Sequence, residues 1–276
     1  METTAILPDT TLTQSQIDAF HDLGYHIHGR LFSEQEVDAL CVACERICQG
    51  HYENGVGPDC SYWSPGGDPL QLRKFDNCWK ADRTIATAVL SPRLGHIAAQ
   101  LISAPSIRMW HDQLLHKPAL GGKVVVYHQD WAYWQAIDVC ETVTCWIALD
   151  DVRADSGPMI FLQGSHKLGL VPAPNGFSGD DTFEPKLPPE THCPPVPVII
   201  PAGYVSFHHG LTLHGSSVNT SPFKRRALVS HLMSGACRYR AGYGHSNLDF
   251  MVKYSEYPKP GQRFCGPQFP LIYPVR

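Results

Sequence analysis

Beyond residue 106 the chain becomes a series of short apolar runs, each bounded by glycine, proline or other turn residues. Alternation and β-branched residues within the runs are typical of strands, and their close spacing is typical of an antiparallel barrel or sandwich. Strands are predicted over residues 107–116, 123–131, 142–148, 159–161, 196–200, 205–207 and 226–233. The predicted fold class is mainly β with α, with a jelly-roll or barrel core.

The first hundred residues follow a helical pattern instead. Thr13 opens a run over 14–23, and Ser33 caps a second over 33–49, in which Glu36 completes a capping box. A short extended piece over 25–31 separates these two helices. Two more helices are predicted, over 83–90 and directly after the Ser-Pro pair at 91–92.

These patterns fit one domain, because all-β barrels often reach about 250 residues without dividing. We expect a helical lead and support over 1–105, a jelly-roll core over 106–235 and a C-terminal extension over 236–276. The segment 171–195, rich in proline, glycine and aspartate, interrupts the strands, and we interpret it as a loop insertion that serves as an active-site flap.

Composition excludes several classes of partner. The formal net charge is −4, so no basic surplus exists to bind a nucleic-acid backbone. No run is long and apolar enough to span a bilayer, and the first residues lack the pattern of a signal peptide. A cytoplasmic protein with reduced cysteines is therefore expected. Cys41, Cys44 and Cys48, one stripe of the second helix, are predicted to be small buried apolar residues.

The densest chemical signal is the pentapeptide Tyr-His-Gln-Asp-Trp at 127–131. His128 and Asp130 are two residues apart on a predicted strand, so their side chains point the same way. Together they are two thirds of the 2-His-1-carboxylate triad that non-haem Fe(II) oxygenases use. A second histidine must come from a distant strand; the candidates are His208, His209 and His214, and His214 is preferred because it precedes a Gly-Ser turn at the predicted barrel mouth.

Eleven residues after His214 stands Arg225, followed by Arg226. Taken singly, either arginine would be interpreted as an exposed, solvated charge. The spacing from His214 favours a different role for Arg225, because a planar guanidinium binds a carboxylate through two hydrogen bonds. A dicarboxylate co-substrate would need such a group at the far end of the pocket, whereas replacing Arg226 should have little effect.

With these residues in place, the chain resembles the phytanoyl-CoA dioxygenase family of Fe(II)/2-oxoglutarate oxygenases over almost its whole length. The resemblance is carried, in the family's order and spacing, by the helical opening at 12–40 and by HKPALGG, HQDWAYW, CWIALDDVRADSGPMIFLQGSHKLG and LHGSSVNTSPFKRRALVSHL.

The resemblance implies a double-stranded β-helix core and a site built from several of these residues. It implies iron held by His128, Asp130 and His214, and 2-oxoglutarate bound through its distal carboxylate by Arg225. It further places Trp146, Gln113 and Lys74 at the co-substrate. O2 is the other co-substrate, and no catalytic residue beyond the metal ligands is implied.

The resemblance also implies hydroxylation of a C–H bond, since Asp130 leaves no place for the halide that halogenating relatives bind. Desaturation, ring formation and epoxidation would use the same ligands. The expected substrate is a small metabolite, such as an amino acid, a phosphonate or a natural-product intermediate, because a CoA thioester would need a basic rim. The aromatic residues Trp131, Tyr133 and Tyr127 and the cations Lys117 and Arg108 are predicted to meet it, and Trp134 less so.

Two alternative functions are compatible with a metal-binding barrel of this kind. A cupin-type isomerase or hydrolase would hold a metal with the same triad but use no 2-oxoglutarate, and Arg225 and Trp146 argue against it. A barrel that serves only as a binding module would lack a ligand, and none is missing. The oligomeric state is not predicted by any sequence feature.

Overall fold

The computed structural model describes residues 10–172, 178–179, 187–244, 248 and 258–274. Parts of the predicted flap and of the C-terminal extension lie outside them. The helices are α1 (Gln14–Leu23), α2 (Glu34–Cys48), α3 (Arg83–Val89) and α4 (Pro92–Leu101). The strands are β1 (Tyr25–Arg30), β2 (Cys60–Ser61), β3 (Arg73–Asp76), β4 (Ile107–Lys117), β5 (Val124–His128), β6 (Thr142–Ala148), β7 (Met159–Leu162), β8 (Ser178–Gly179), β9 (Pro195–Pro197), β10 (Tyr204–His209), β11 (His214–Ser216), β12 (Arg225–Ser234) and β13 (Leu271–Tyr273).

The strands form two antiparallel sheets. The larger has eight strands in the order β1-β10-β6-β12-β4-β3-β2, with β13 also paired to β4, and the smaller has five in the order β8-β5-β11-β7-β9. Neither sheet closes on itself. This arrangement of two facing antiparallel sheets confirms the predicted jelly-roll class.

The helices begin where the capping residues predict. The side chains of Thr13 and Ser33 each accept a hydrogen bond from the backbone N–H of the N3 residue. The side chain of that N3 residue in turn accepts one from the backbone N–H of the cap. Cys44 and Cys48 are buried on α2 and Cys41 is partly buried, and all three are free thiols. The prediction of small buried residues is confirmed for Cys44 and Cys48, and Cys41 packs against the same cluster from a partly buried position.

The core lies between the helices and one face of the larger sheet. Because side chains alternate along a strand, one face of β6 and β12 packs with the helices, and its apolar side chains belong to one cluster that includes Val143, Cys145, Ile147, Leu228 and Leu232. The alternate residues face the smaller sheet and line a cavity of about 900 Å³, among them Thr144, Trp146, Val229 and His231. The fold therefore covers the larger sheet with helices on one side and leaves its other side for a site.

Several predicted boundaries are wrong. The strand predicted over 123–131 ends at His128, because the chain turns into a 3-10 helix over Asp130–Tyr133. The strand predicted over 196–200 is Pro195–Pro197. Strands β2, β3, β8 and β13 were not predicted, and β11 includes the Gly-Ser pair at 215–216 that was predicted as a turn. These strands are short, and pairing with distant strands rather than local pattern defines them.

No helix within the described ranges is both long and apolar enough to cross a membrane.

Candidate metal centre and co-substrate cavity

Three side chains that can bind a metal converge between the two sheets. His128 pairs directly with His214 across β5 and β11, and their ring centroids lie 4.2 Å apart. Oδ1 of Asp130 lies 3.7 Å from Nε2 of each histidine. All three residues are buried, and their ligand atoms lie within 4.8 Å of one another; among the described residues no other group of three has this geometry.

Backbone carbonyls orient both imidazoles. Nδ1 of His128 donates to the carbonyl of Val126 at 2.8 Å, and Nδ1 of His214 donates to the carbonyl of Thr212 at 3.0 Å. With the proton on Nδ1, each Nε2 presents a lone pair toward Asp130. Burial lowers the pKa of His128 to about 3 and that of His214 to about 4, so both rings are neutral at physiological pH, as metal ligands must be.

Asp130 supplies the negative charge. Burial opposes its ionisation, but His214, His231 and His208 together hold the pKa of its carboxyl well below the usual range. Two imidazole nitrogens and one carboxylate oxygen on one side of an ion are the donor set of the facial triad, with its remaining positions open. The donors of this structure therefore fit Fe(II).

Gly210 fixes the turn that carries Asp130. Its carbonyl accepts a hydrogen bond from the backbone N–H of Trp131 at 2.9 Å, and its N–H donates to the carbonyl of Thr142 at 3.1 Å. A Cβ at this position would lie 2.1 Å from Oγ1 of Thr142. A residue without a side chain is thus required where the strand ends and the chain turns Asp130 toward the histidines.

Arg225 lies in the same cavity, at the beginning of β12. Its guanidinium donates to the carbonyl of Gly157 at 2.7 Å and lies over the ring of Trp146 at 5.5 Å. Its buried Nε has no hydrogen-bond partner within the described part of the chain. Burial lowers the pKa of Arg225 to about 10, which leaves the group charged at neutral pH. A buried cation with an unused donor suits an anionic ligand.

Arg226 faces the opposite side of β12 and is also buried, so an exposed, solvated charge is the wrong interpretation for both arginines. Its guanidinium donates to both carboxylate oxygens of Asp150, at 2.7 and 2.9 Å.

The ion pair between Arg226 and Asp150 implies that a substitution at Arg226 affects the stability of the protein. We expect Arg226→Gln to lower the free energy of unfolding by about 1.5–3 kcal/mol, the usual contribution of a hydrogen bond to a charged group, while leaving co-substrate affinity unchanged. Urea denaturation measures the loss. Lys224→Gln, which removes the same charge from a partly exposed pair with Glu45, is the control and should cost at most about 1 kcal/mol. Equal stability of Arg226→Gln and the unmodified protein would contradict the expectation.

Gln113 and Lys74 both line the cavity, from β4 and β3. Gln113 is buried and lies beside Asp76 in the pairing of these strands. Nζ of Lys74 lies 3.4 Å from the carboxylate of Asp76 and 4.2 Å from the centre of the Tyr62 ring. Both residues are therefore placed where a co-substrate role is possible, with Lys74 already in an ion pair.

Two of the three aromatic residues predicted for the substrate do not line the cavity. Tyr133 does: its ring lies 5.8 Å from that of His128, and its hydroxyl is buried without a hydrogen-bond partner among the described residues. Trp131 and Tyr127 do not, whereas Trp134, the less favoured residue, does. The 3-10 helix changes which side chains face inward, so the alternation expected of a continuous strand fails here.

The two cations predicted to meet the substrate bind backbone carbonyls instead. Lys117 reaches the cavity, but its ammonium donates to the backbone carbonyls of Lys123 at 2.9 Å and of Ser217. Arg108 lies outside the cavity and donates to the carbonyl of Phe269 at 2.7 Å. Neither position favours contact with a substrate, because both side chains stabilise neighbouring loops.

Three polar residues near Asp130 have contacts that the sequence did not predict. Thr144, His208 and His231 come from β6, β10 and β12, and all line the cavity. His208 faces inward and His209 faces α1, as the alternation of a strand requires for adjacent residues. The inward position of His208 could have been found from this rule, but its contact with Asp130 depends on pairing between distant strands.

The comparisons with known proteins show the family of the chain. Residues 20–227 match the model of the phytanoyl-CoA dioxygenase (PhyH) family. An ectoine dioxygenase of Bordetella parapertussis is 25% identical over 231 residues, which cover 78% of this chain and 73% of that protein.

Solved structures show the same fold. The non-haem alpha-ketoglutarate-dependent carbocyclase SnoK of nogalamycin biosynthesis has a TM-score of 0.71 at 26% identity, over 95% of this chain and 96% of that one. The epimerase SnoN, solved with Fe3+, alpha-ketoglutarate and nogalamycin RO, has a TM-score of 0.71 at 22% identity, over 94% and 98% of the two chains.

The fold and the ligand set define a non-haem iron oxygenase, and the chain belongs to the phytanoyl-CoA dioxygenase family. It is an Fe(II)- and 2-oxoglutarate-dependent dioxygenase, with O2 as the second co-substrate.

Proposed function

We propose that this enzyme hydroxylates an unactivated C–H bond of a small metabolite and converts 2-oxoglutarate to succinate and CO2. The observation that carries the proposal is the placement of two unlike groups in one cavity. The metal triad lies at the junction of the sheets, and the buried guanidinium of Arg225 lies in the same space with a donor unused.

Each residue of the site would have a distinct role. His128, Asp130 and His214 would hold Fe(II), which together with 2-oxoglutarate and O2 supplies the oxidising power for C–H cleavage. Arg225 would bind the distal carboxylate of 2-oxoglutarate through its guanidinium. Trp146 packs against that guanidinium and limits its movement. The three ligands themselves are buried, which limits the access of bulk water to the reacting atoms.

Gln113 and Lys74 would flank the co-substrate on the side of β3 and β4. Gln113 offers an amide donor and Lys74 an ammonium. Tyr133 presents a buried hydroxyl beside His128, which suits a polar group of the substrate rather than the co-substrate. No side chain beyond the metal ligands needs to act as acid or base.

The chemistry of the cavity favours a small, free substrate. Its volume of about 900 Å³ is within the range of cavities that hold small molecules. A CoA thioester would require cations along the rim, but Lys117 is bound to backbone carbonyls and Lys74 is paired with Asp76. An amino acid, a phosphonate or a natural-product intermediate fits better. The buried Arg225 and the family assignment disfavour a cupin-type isomerase or hydrolase that uses no 2-oxoglutarate.

A panel assay tests the proposal. The Fe(II)-loaded enzyme is incubated with 2-oxoglutarate, O2 and one candidate substrate at a time, and succinate and the oxidised product are measured together. We expect succinate and a product 16 Da heavier than the substrate, in a one-to-one ratio, with a small metabolite and not with CoA thioesters. A CoA thioester as the preferred substrate, or a product without added oxygen, would contradict the proposal.

A further inference from the structure

We propose that Thr144, His208 and His231 form a hydrogen-bond network that makes Asp130 bind the metal through a single oxygen. The inference rests on the proposed function in one respect, that Asp130 is a metal ligand. It assigns positioning roles to three side chains that lie behind the triad.

The two oxygens of Asp130 have different surroundings. Oδ1 faces the metal position, 3.7 Å from Nε2 of both His128 and His214. Oδ2 points away and lies 2.6 Å from Oγ1 of Thr144 and 3.0 Å from Nε2 of His208. Because an ionised carboxylate only accepts hydrogen bonds, both neighbours donate to Oδ2.

His231 fixes the direction in which Thr144 donates. Nδ1 of His231 lies 2.8 Å from Oγ1 of Thr144. A hydroxyl has one proton, and Thr144 gives it to Oδ2, so its oxygen accepts the Nδ1 proton of His231. The chain of donation therefore runs from His231 to Thr144 to Asp130. All four residues of the network are buried, where such bonds are strong and an unmade one is costly.

The chemical consequence concerns the number of open positions. An octahedral ion with three protein ligands has room for a bidentate co-substrate and for O2. A carboxylate that turned to bind through both oxygens would take one of these positions. Two donors on Oδ2 oppose that rotation, because binding the metal through Oδ2 would break both hydrogen bonds.

Matched variants of Thr144 test the network. Thr144→Val keeps the shape but removes the hydroxyl, whereas Thr144→Ser keeps the hydroxyl. We titrate each protein with Co(II) by calorimetry and record the visible absorption of bound Co(II), which weakens as the number of ligands rises. Thr144→Val should bind Co(II) about 10- to 100-fold more weakly, the range for groups that orient metal ligands, with altered absorption. Thr144→Ser should match the unmodified protein.

His231 supplies the sharper test. His231→Leu should weaken Co(II) binding, and His231→Asn, whose amide can donate from nearly the same place as Nδ1, should recover much of the loss. In a Thr144→Val background His231→Leu should have a much smaller effect, because its hydrogen bond reaches Asp130 through the hydroxyl, whereas Nδ1 itself lies 3.7 Å from Oδ2. A role confined to packing would instead give additive losses. Thermal unfolding followed by circular dichroism identifies any variant that fails to fold.

The remaining donor is tested in the same way. His208→Leu removes the second bond to Oδ2 and should weaken Co(II) binding, whereas His208→Gln keeps a side-chain N–H. If Thr144→Val is folded and binds Co(II) as the unmodified protein does, with the same absorption, the network has no positioning role. Failure of the unmodified protein to bind Co(II) would instead overturn the metal centre itself, so the two failures are distinguishable.

Discussion

His214→Ala is expected to abolish iron binding and all succinate release. The substitution removes one of two buried neutral imidazoles that face Oδ1 of Asp130 at 3.7 Å. Loss of groups that merely orient ligands costs about 10- to 100-fold in metal affinity, so loss of a ligand should cost at least about 100-fold. Equilibrium dialysis with Fe(II) under anaerobic conditions, followed by a colorimetric iron assay, measures it.

The control for this variant is a histidine of β10 that faces away from the cavity. His209 faces α1 and accepts a hydrogen bond from the backbone N–H of Leu211 at 3.1 Å, which the amide oxygen of His209→Asn can accept instead. That variant should retain iron. If His214→Ala kept its iron and His208→Ala lost it, the second imidazole ligand would be His208, which lies 3.0 Å from the other oxygen of Asp130.

The second large effect is expected at Arg225. Arg225→Gln should raise the KM for 2-oxoglutarate by about 30-fold or more, because truncating one partner of a buried charge pair costs at least about 2 kcal/mol. The kcat at saturating 2-oxoglutarate should fall much less, since the guanidinium binds the end of the co-substrate that does not react. Initial rates of succinate formation over a range of 2-oxoglutarate concentrations separate the two constants.

Lys224→Gln is the matched control for Arg225→Gln. It removes the same charge one residue away, from a side chain that pairs with Glu45 rather than lining the cavity. Its KM for 2-oxoglutarate should equal that of the unmodified enzyme. An unchanged KM in Arg225→Gln would show that another cation of the cavity, with Lys74 the first candidate, binds the distal carboxylate.

Elements that depend on local features of the sequence were predicted correctly. The helix over 14–23 and the strand over 142–148 have the bounds found in the structure, because a helix-capping threonine and a run rich in β-branched residues are local signals that span only a few residues. The three candidate ligands were found from local patterns that hold only in part, since Asp130 lies in a 3-10 helix rather than on a strand and the Gly-Ser pair after His214 continues strand β11 rather than forming a turn.

Features that depend on pairing between distant strands were not predicted. The contacts of Thr144, His208 and His231 with Asp130 require three strands of the larger sheet to lie side by side. The assignment of Trp131 rather than Trp134 to the cavity failed because a strand was extended through a 3-10 helix.

The predicted roles of the lysine and arginine residues were wrong for a different reason. A lysine or arginine can satisfy its charge with backbone carbonyls, as Lys117 and Arg108 do, or with a carboxylate on another element, as Arg226 does with Asp150. Residue type and spacing do not distinguish these partners from a substrate. The family resemblance supplied the role of Arg225, and the structure adds that its Nε is buried without a partner among the described residues.

The central claim is that iron held by His128, Asp130 and His214 binds 2-oxoglutarate in the cavity that Arg225 closes. The most direct measurement is an anaerobic titration of the Fe(II)-loaded protein with 2-oxoglutarate, monitored by visible absorption. A weak charge-transfer band that saturates with 2-oxoglutarate, and that needs far more of it in Arg225→Gln, is the predicted result. Iron that is demonstrably bound but gives no band at any 2-oxoglutarate concentration would contradict the claim.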